Sequence, residues 1–132
     1  MSEKIKFDLV SPDNILISGD VVMVTIPGGE GDYGVMFGHQ PMITTIRPGV
    51  IETETEKGEI SRFYVDGGFA EITNTECSVL AEDAIAISDF KKEDIDKRIH
   101  EAENNFDDLT NDLDISLNHT RLEVLKKILI EI

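Results

Sequence analysis

The chain has 132 residues and a mass of 14.7 kDa, which suits one compact domain with an appendage and is too short for two independent domains of ordinary size. Hydrophobic residues make up 40% and charged residues 30% of the chain, a balance typical of a globular protein that can bury a core. The 27 acidic and 12 basic side chains give a formal net charge of −15, which disfavours direct binding to nucleic acid or to anionic lipid headgroups.

Membrane insertion and cysteine chemistry are also disfavoured. The sequence has no apolar run close to the ~20 residues that a membrane helix needs, and its start resembles neither a signal region nor an Arg-rich transit segment. We therefore expect a soluble chain that starts in the cytosol. Cys77 is the single cysteine, so no internal disulfide can form. Because it follows Glu76 in a predicted strand, we expect a buried or half-buried, inert thiol.

Short runs of β-branched and aromatic residues occupy the chain from position 5 to about position 88. Ile5, Phe7 and Leu9 alternate with polar residues, as expected for a strand with one buried face. Turn residues separate the runs at 11–14, 18–20, 27–29, 47–49, 57–58 and 73–74. This regular spacing predicts a β-sandwich or a flattened barrel.

From position 89 the spacing of apolar residues changes to that of a helix. Intervals of four and three residues predict an amphipathic helix with a stripe formed by Ile95, Ile99, Ala102, Phe106 and Leu109. Ser88 or Asp89 is predicted to cap the start of this helix, with Glu93 and Asp94 in its early turns.

A second helix is predicted to begin after Thr110, Asn111 and Asp112, which offer a turn and a second cap. Its stripe is expected to consist of Leu113, Leu117, Val124 and Ile128, joined by Leu122, Leu125, Leu129 and Ile132. Because the connection is short, the two helices should form an antiparallel hairpin. Its apolar stripes must be covered by each other, by the β-domain or by another protein.

The loop at 29–34, GEGDYG, matches the dinucleotide-binding pattern G-x-G-x-x-G and follows a predicted strand at 21–26. A dinucleotide site needs a helix whose N-terminus faces the pyrophosphate, and Gly38 and Pro41 would break any helix after this loop. The two acidic residues of the loop would also place negative charge beside the phosphates. We therefore interpret the loop as a glycine-rich bend between strands.

No set of residues in the sequence predicts a catalytic, cofactor or metal site. The histidines at 39, 100 and 119 have no metal-ligand spacing, and most carboxylates are expected on the outer faces of helices. For His39, hydrogen bonding to its own bend is preferred over direct contact with a partner.

Several segments are similar to the epsilon subunits of bacterial F-type ATP synthases. Residues 30–49, EGDYGVMFGHQPMITTIRPG, resemble the family's E-G-[DE]-x-G-x-x-x-G-H-x-P followed by an apolar strand and [KR]-P-G. Residues 63–72, FYVDGGFAEI, resemble its Y-x-x-G-G-x-x-E-[VI], and residues 79–84, VLAEDA, resemble its V-x-x-L-A-[DE]-x-A region. The opening FDLVSP at 7–12 also fits. Asp32 with residues 39–41 is most similar to alphaproteobacterial members.

The resemblance covers the whole chain and implies both its fold and its role. The implied fold is an N-terminal β-sandwich of about ten short strands at residues 1–88 and a C-terminal antiparallel two-helix hairpin at residues 89–132. The implied role is that of a non-catalytic rotor subunit of the central stalk, at the cytoplasmic face of the bacterial inner membrane. The implied partners are the gamma subunit and the c-subunit ring, with the beta and alpha subunits reached through the hairpin.

The resemblance also implies candidate interface residues. In the family, an acidic position that matches Asp32 lies on a loop facing the polar loops of the c ring. Glu30, Asp32, His39 and Pro41 are therefore candidates for the interface with the c ring or gamma. We expect the first three of them to mark the ring-facing edge.

The hairpin departs from the family pattern [IL]-D-x-x-R-A, which is used in binding ATP. Ile95 and Asp96 fit this pattern, but Ile99 stands where the family has Arg, and Arg98 lies one position too early. The departure argues against ATP binding. The hairpin also has few basic residues and an acidic first helix, which predicts weak or absent inhibition of ATP hydrolysis through an acidic segment of beta.

Two other classes of function are also compatible with the sequence. A stand-alone β-sandwich protein-binding module with a helical dimerisation arm predicts a stable homodimer without affinity for gamma. A nucleotide-dependent oxidoreductase or transferase, suggested by G-x-G-x-x-G alone, predicts thermal stabilisation by a nucleotide.

Overall fold

The computed structural model describes residues 3–132. The chain folds into two compact units. The first, the β unit, ends at Ile87, and the second, the hairpin unit, comprises Ser88–Ile132. Within the described residues, no helix combines the length and the apolar character needed to cross a membrane.

The β unit contains eight strands. They are β1 (Ile5–Val10), β2 (Ile15–Val21), β3 (Met23–Gly28), β4 (Gly31–Val35), β5 (Met42–Thr45), β6 (Gly49–Glu54), β7 (Ile60–Ile72) and β8 (Glu76–Ala86). The sheet order is β2-β1-β8-β7-β6-β3-β4, and β5 pairs with β7 outside this path. The β1–β8 pair is parallel and every other pair is antiparallel.

The long strands β7 and β8 belong to both layers of the sandwich. The first half of β7 pairs with β6 and its second half with β5, while β8 accompanies it along most of its length. The change of layer falls at Gly67 and Gly68, whose φ angles of 76° and 110° favour glycine. The expectation of a β-sandwich is confirmed. Its strands number eight rather than about ten, because β7 and β8 each run through both layers.

The core of the β unit lies between the two layers. The alternation predicted for Ile5, Phe7 and Leu9 is confirmed, since all three side chains are fully buried. The same alternation recurs on β8, where Cys77, Val79 and Ala81 face inward. The rest of this core consists of Val21, Val24, Ile26, Val35, Ile46, Ile51, Phe63, Val65, Ala70 and Ile72.

The first helix, α1, comprises Lys92–Asn104. The predicted cap at Ser88 or Asp89 is wrong, because residues 87–89 form a 3-10 turn and Lys91, in an extended conformation, precedes the helix without a side-chain cap. Phe90 and Ile95 occupy the two positions of a hydrophobic staple, which can fix the entry to the helix in place of a cap. The acidic residues predicted for the first turn, Glu93 and Asp94, lie there.

The second helix, α2, comprises Asp112–Glu131 and follows a 3-10 turn at Asn105–Asp108. The predicted cap is confirmed at Asn111, whose side chain accepts a hydrogen bond of 2.8 Å from the Asp114 N–H.

Only part of the stripe expected on α2 is buried. Leu122, Leu125 and Ile128 are buried as expected, together with Asn118, which was not expected. The expectation for Leu113 is wrong, since it is 67% exposed. It lies about 140° around the helix from Asn118 and so points away from the buried side.

Candidate functional site

The glycine-rich loop forms the turn of a tight β-hairpin. Gly28 pairs with Gly31 across the two-residue turn Gly29-Glu30, and β4 then runs antiparallel to β3. The loop is therefore the bend between strands that the sequence predicted. The segment after Val35 is a turn that leads into β5, so the helix required by the dinucleotide-binding motif is absent at this position.

Arg47 holds this turn in place. Its Nε donates a hydrogen bond of 3.0 Å to the Gly28 carbonyl, and its guanidinium forms an ion pair with Asp32. Its backbone N–H also donates to the Pro27 carbonyl at 3.0 Å. Asp32 and Glu30 are both exposed. The turn therefore presents two carboxylates, one of them partly neutralised by a cation of the same unit.

The second predicted group, His39 and Pro41, lies in the connection between β4 and β5. The Gly38 N–H donates 2.7 Å to the Asn74 carbonyl, which ties this connection to the β7–β8 turn. Nδ1 of His39 lies 2.7 Å from the Gln40 carbonyl and is therefore the protonated nitrogen that donates. The imidazole hydrogen-bonds its own bend, as expected, and is half-buried.

The structure does not bring all four candidate residues together. Glu30 and Asp32 lie at the start of β4, whereas His39 and Pro41 follow its far end. A strand of this length spans about 16 Å. A contact of either group with a ring or with gamma stays a prediction.

An exposed apolar row crosses the outer face of one layer and was not predicted. Cross-strand pairing aligns Ile15 with Val10, Val10 with Leu80, and Leu80 with Phe69. Ile43, on β5, lies beside them. Exposed fractions are 71% for Ile15, 48% for Leu80, 44% for Phe69 and 71% for Ile43. We call these five residues the outer row.

One member of the outer row, Leu80, could have been found from the alternation in β8. Val79 and Ala81 face the core, so Leu80 between them must face outward. Five neighbouring strands are about 19 Å across, and an exposed apolar stripe of that width is typical of an interaction surface.

The residues at the degenerate ATP motif take part in packing within the hairpin unit. Ile95 is fully buried and Ile99 is 9% exposed. The Arg98 guanidinium lies over the Phe90 ring, with Cζ 5.3 Å from its centroid, in cation–π geometry. Asp96 is exposed. Ile99, which replaces the arginine of the family pattern, thus belongs to the core of the hairpin unit.

The thiol of Cys77 lies in a buried environment. Burial and, to a smaller extent, the negative charge of Asp8 together raise the pKa of the Cys77 thiol to about 12. The prediction of a buried thiol is confirmed. Among residues 3–132, no group of three or more His, Cys, Asp or Glu side chains is arranged to hold a metal ion.

These features define a β-sandwich protein with a helical hairpin whose outer surfaces are its candidate functional regions. Residues 4–87 match the family model described as "ATP synthase, Delta/Epsilon chain, beta-sandwich domain".

Relatives named ATP synthase epsilon chain agree with this match. The protein from Parvibaculum lavamentivorans is 47% identical over 112 residues, which covers 85% of each chain. That from Rhodospirillum centenum is 41% identical over 127 residues, covering 92% of this chain and 87% of the relative. That from Mesorhizobium japonicum is 45% identical over 112 residues, covering 85% and 83%. The chain belongs to the ATP synthase delta/epsilon chain family, and the predicted similarity to alphaproteobacterial members is confirmed.

Solved structures show the same fold at low sequence identity. A chain of the Euglena gracilis mitochondrial ATP synthase structure, "OSCP/F1/c-ring in rotational state 1", gives a TM-score of 0.71 at 23% identity and covers 93% of this chain and 78% of that chain. A chain of the Tetrahymena thermophila mitochondrial ATP synthase "central stalk/cring" structure gives 0.69 at 15% identity and covers 96% of both.

Proposed function

We propose that this chain is a non-catalytic rotor subunit of the central stalk of a proton-translocating F-type ATP synthase. It joins the c ring to gamma, so that rotation driven by proton flow reaches the catalytic sites, and it lies at the cytoplasmic face of the bacterial inner membrane. The observation that carries this proposal is the match of the β unit, residues 4–87, to the delta/epsilon family, supported by relatives that share the name epsilon chain.

The outer row is proposed to be the surface that binds gamma. Leu80 and Phe69 stand next to each other on the outer face and are about half exposed, so covering them would remove apolar area from water. The adjacent outward positions, among them Asp8 and Glu71, are polar and supply the rim that surrounds the apolar centre of an interface.

Co-purification of the full chain with gamma tests this surface. Phe69→Glu and Leu80→Glu place a carboxylate in the centre of the row and should weaken gamma binding by about 30-fold or more. Ile60→Glu is the matched control, because Ile60 is an apolar residue of β7 with a similar exposure of 55%. Unchanged gamma binding by both row variants would reject this surface, and no gamma binding by the unaltered chain would reject the rotor function.

The β3–β4 turn is proposed to face the c ring, because it presents Glu30 and Asp32 in an exposed position. Glu30→Cys is the better site for a crosslinking probe, since replacing Asp32 would also remove the ion pair with Arg47. Crosslinks from position 30 in the assembled synthase should reach a c subunit. Lys57→Cys, in the exposed β6–β7 turn, is the control. Crosslinks from position 30 to gamma alone would show that the assignment is wrong.

The hairpin unit is proposed to contribute little or no inhibition of ATP hydrolysis. In α2 the acidic residues Asp112, Asp114, Glu123 and Glu131 outnumber the basic residues Arg121, Lys126 and Lys127. Attraction to an acidic segment of a partner would therefore be weak. Deletion of residues 89–132 should leave hydrolysis by the assembled enzyme nearly unchanged, and strong activation would contradict the proposal. Addition of ATP to the full chain should leave its melting temperature unchanged.

A further inference from the structure

Asn118 is the one fully buried polar side chain in the described part of the hairpin unit. Its Nδ2 donates a hydrogen bond of 2.8 Å to the Ala102 carbonyl, in the last turn of α1. Its Oδ1 accepts a hydrogen bond of 2.8 Å from Nη1 of Arg121. The two partners leave one orientation for the amide, because a carbonyl can only accept and a guanidinium can only donate.

This bond also supports the end of α1. The Asn105 N–H donates to the Ala102 and Glu101 carbonyls, where the α-helix tightens into the 3-10 turn. Carbonyls in the last turn of a helix lack regular partners. Asn118 therefore supplies, from α2, a donor that is matched to one defined position of α1.

Apolar packing alone does not fix how far α2 lies along α1. The inward positions of α2 repeat nearly every turn, at Ile115, Asn118, Leu122, Leu125, Ile128 and Leu129. If α2 moved by one turn, about 5.4 Å, Leu122 would occupy the place of Asn118 and Leu125 that of Leu122. Most apolar contacts of α2 with α1 would be replaced by other apolar contacts.

A shifted register would leave the Asn118 amide separated from the Ala102 carbonyl. A buried amide that loses its partner disfavours the shifted state by a factor of about ten or more. Single buried asparagines fix register in coiled coils in the same way. We propose that Ala102, Asn118 and Arg121 form a register lock, which selects one alignment of α1 and α2 among alignments with similar apolar packing.

NMR on the full chain tests the register lock. The unaltered protein should give a single set of ¹H–¹⁵N signals for residues 92–131. Asn118→Leu should keep or raise the melting temperature, because an apolar side chain suits the seam, while the helix signals split or broaden through a second register populated at about 10% or more. Asn104→Leu, the same change at an exposed position of α1, should retain one set.

Two outcomes of the Asn118→Leu experiment would overturn the proposal. One set of signals at an unchanged or higher melting temperature would mean that the connection between the helices sets the register alone. One set at a lower melting temperature would give Asn118 a stabilising role only.

If Asn118→Leu does not fold, the same NMR measurement on Arg121→Met tests the register lock, because this variant retains Asn118 but leaves its amide free to rotate. Broadened helix signals would then support the lock, and a single sharp set would reject it.

Discussion

The two units of this chain are stabilised by different means. In the β unit, the backbone defines the architecture: a pair of glycines with positive φ lets β7 pass from one layer to the other, and apolar side chains fill the space between the layers. In the hairpin unit, side chains define the architecture, through a repeating apolar stripe and one buried amide. The β unit should therefore be intolerant of backbone changes, and the hairpin unit should tolerate changes at most positions outside its seam.

Gly68→Ala should have the largest effect on stability. Gly68 has a φ of 110°, and a Cβ at this position would lie 2.0 Å from the Leu80 carbonyl oxygen. Strain and overlap with the backbone of β8 should together reduce the free energy of unfolding by more than about 4 kcal/mol. The near-UV signal of tyrosine is the appropriate readout, because Tyr33 and Tyr64 both lie in the β unit and the chain has no tryptophan.

Gly58→Ala is the matched control for this prediction. Gly58 also has a positive φ, 83°, but a Cβ there would meet nothing within 4 Å. It should cost only about 1 kcal/mol, the strain of the backbone conformation. Equal effects at both glycines would mean that the close approach of β7 to β8 does not constrain the sandwich.

Leu125→Ala should have the next largest effect, confined to the hairpin unit. Leu125 is fully buried in α2, and its truncation should cost about 3 kcal/mol. The helical signal at 222 nm should be lost at a lower temperature, while the tyrosine signal keeps its midpoint. Leu113→Ala, the same change at a residue that is 67% exposed, is the control and should change neither transition. Coincident loss of both signals in Leu125→Ala would show that the two units unfold together.

The β unit was predictable from the sequence where its pattern is local. Period-two alternation identified β1, and the glycine-rich loop was recognised as a bend because Gly38 and Pro41 excluded a following helix. The strand count implied by the family resemblance was too high, since β7 continues through Gly67 and Gly68 at the change of layer and counts as one strand. A glycine pair indicates a distortion, and only the pairing partners show whether the strand ends there.

In the hairpin unit, the helices and the Asn111 cap were predicted, but the buried side of α2 was predicted only in part. Leu113 and Asn118 were misjudged for one reason: hydrophobicity was taken as the measure of burial. Asn118 is buried because the carbonyl of Ala102 lies opposite it, and no property of α2 alone reveals that partner. Likewise, the outer row as a continuous surface becomes visible only when register aligns residues of five separate strands.

A smaller, pH-dependent effect is expected from Cys77. Its pKa is raised to about 12 in the folded chain, from an ordinary value of 9.0, so the unfolded thiol loses its proton first as the pH increases. The stability contribution is fully present below pH 9 and is lost as the pH rises from about 9 towards 12. Between pH 8 and pH 10 the loss should be about 1.4 kcal/mol.

Urea unfolding of the unaltered chain and of Cys77→Ala measures this effect. Lysines and tyrosines titrate in the same range, so the relevant quantity is the difference in slope between the two proteins. The unaltered chain should lose stability more steeply, and the native thiol should stay unreactive toward a disulfide reagent at pH 8. Parallel pH profiles would show that the thiol has the same pKa in both states.

The smallest effect is expected at the β3–β4 turn, where an exposed interaction can be compared with a partly buried one. Asp32→Asn removes the ion pair with Arg47 and should cost less than about 1 kcal/mol, since exposed ion pairs contribute little. Glu52→Gln, which breaks the ion pair with Arg62 on β7, is a control of the same kind and should cost as little.

Arg47→Met should reduce stability more than either of these changes, because it also removes the partly buried hydrogen bond from Nε to the Gly28 carbonyl. If Asp32→Asn proves as costly as Arg47→Met, the ion pair and not the carbonyl contact holds the turn. Asp32 would then have a structural role in the turn besides any contact with a partner.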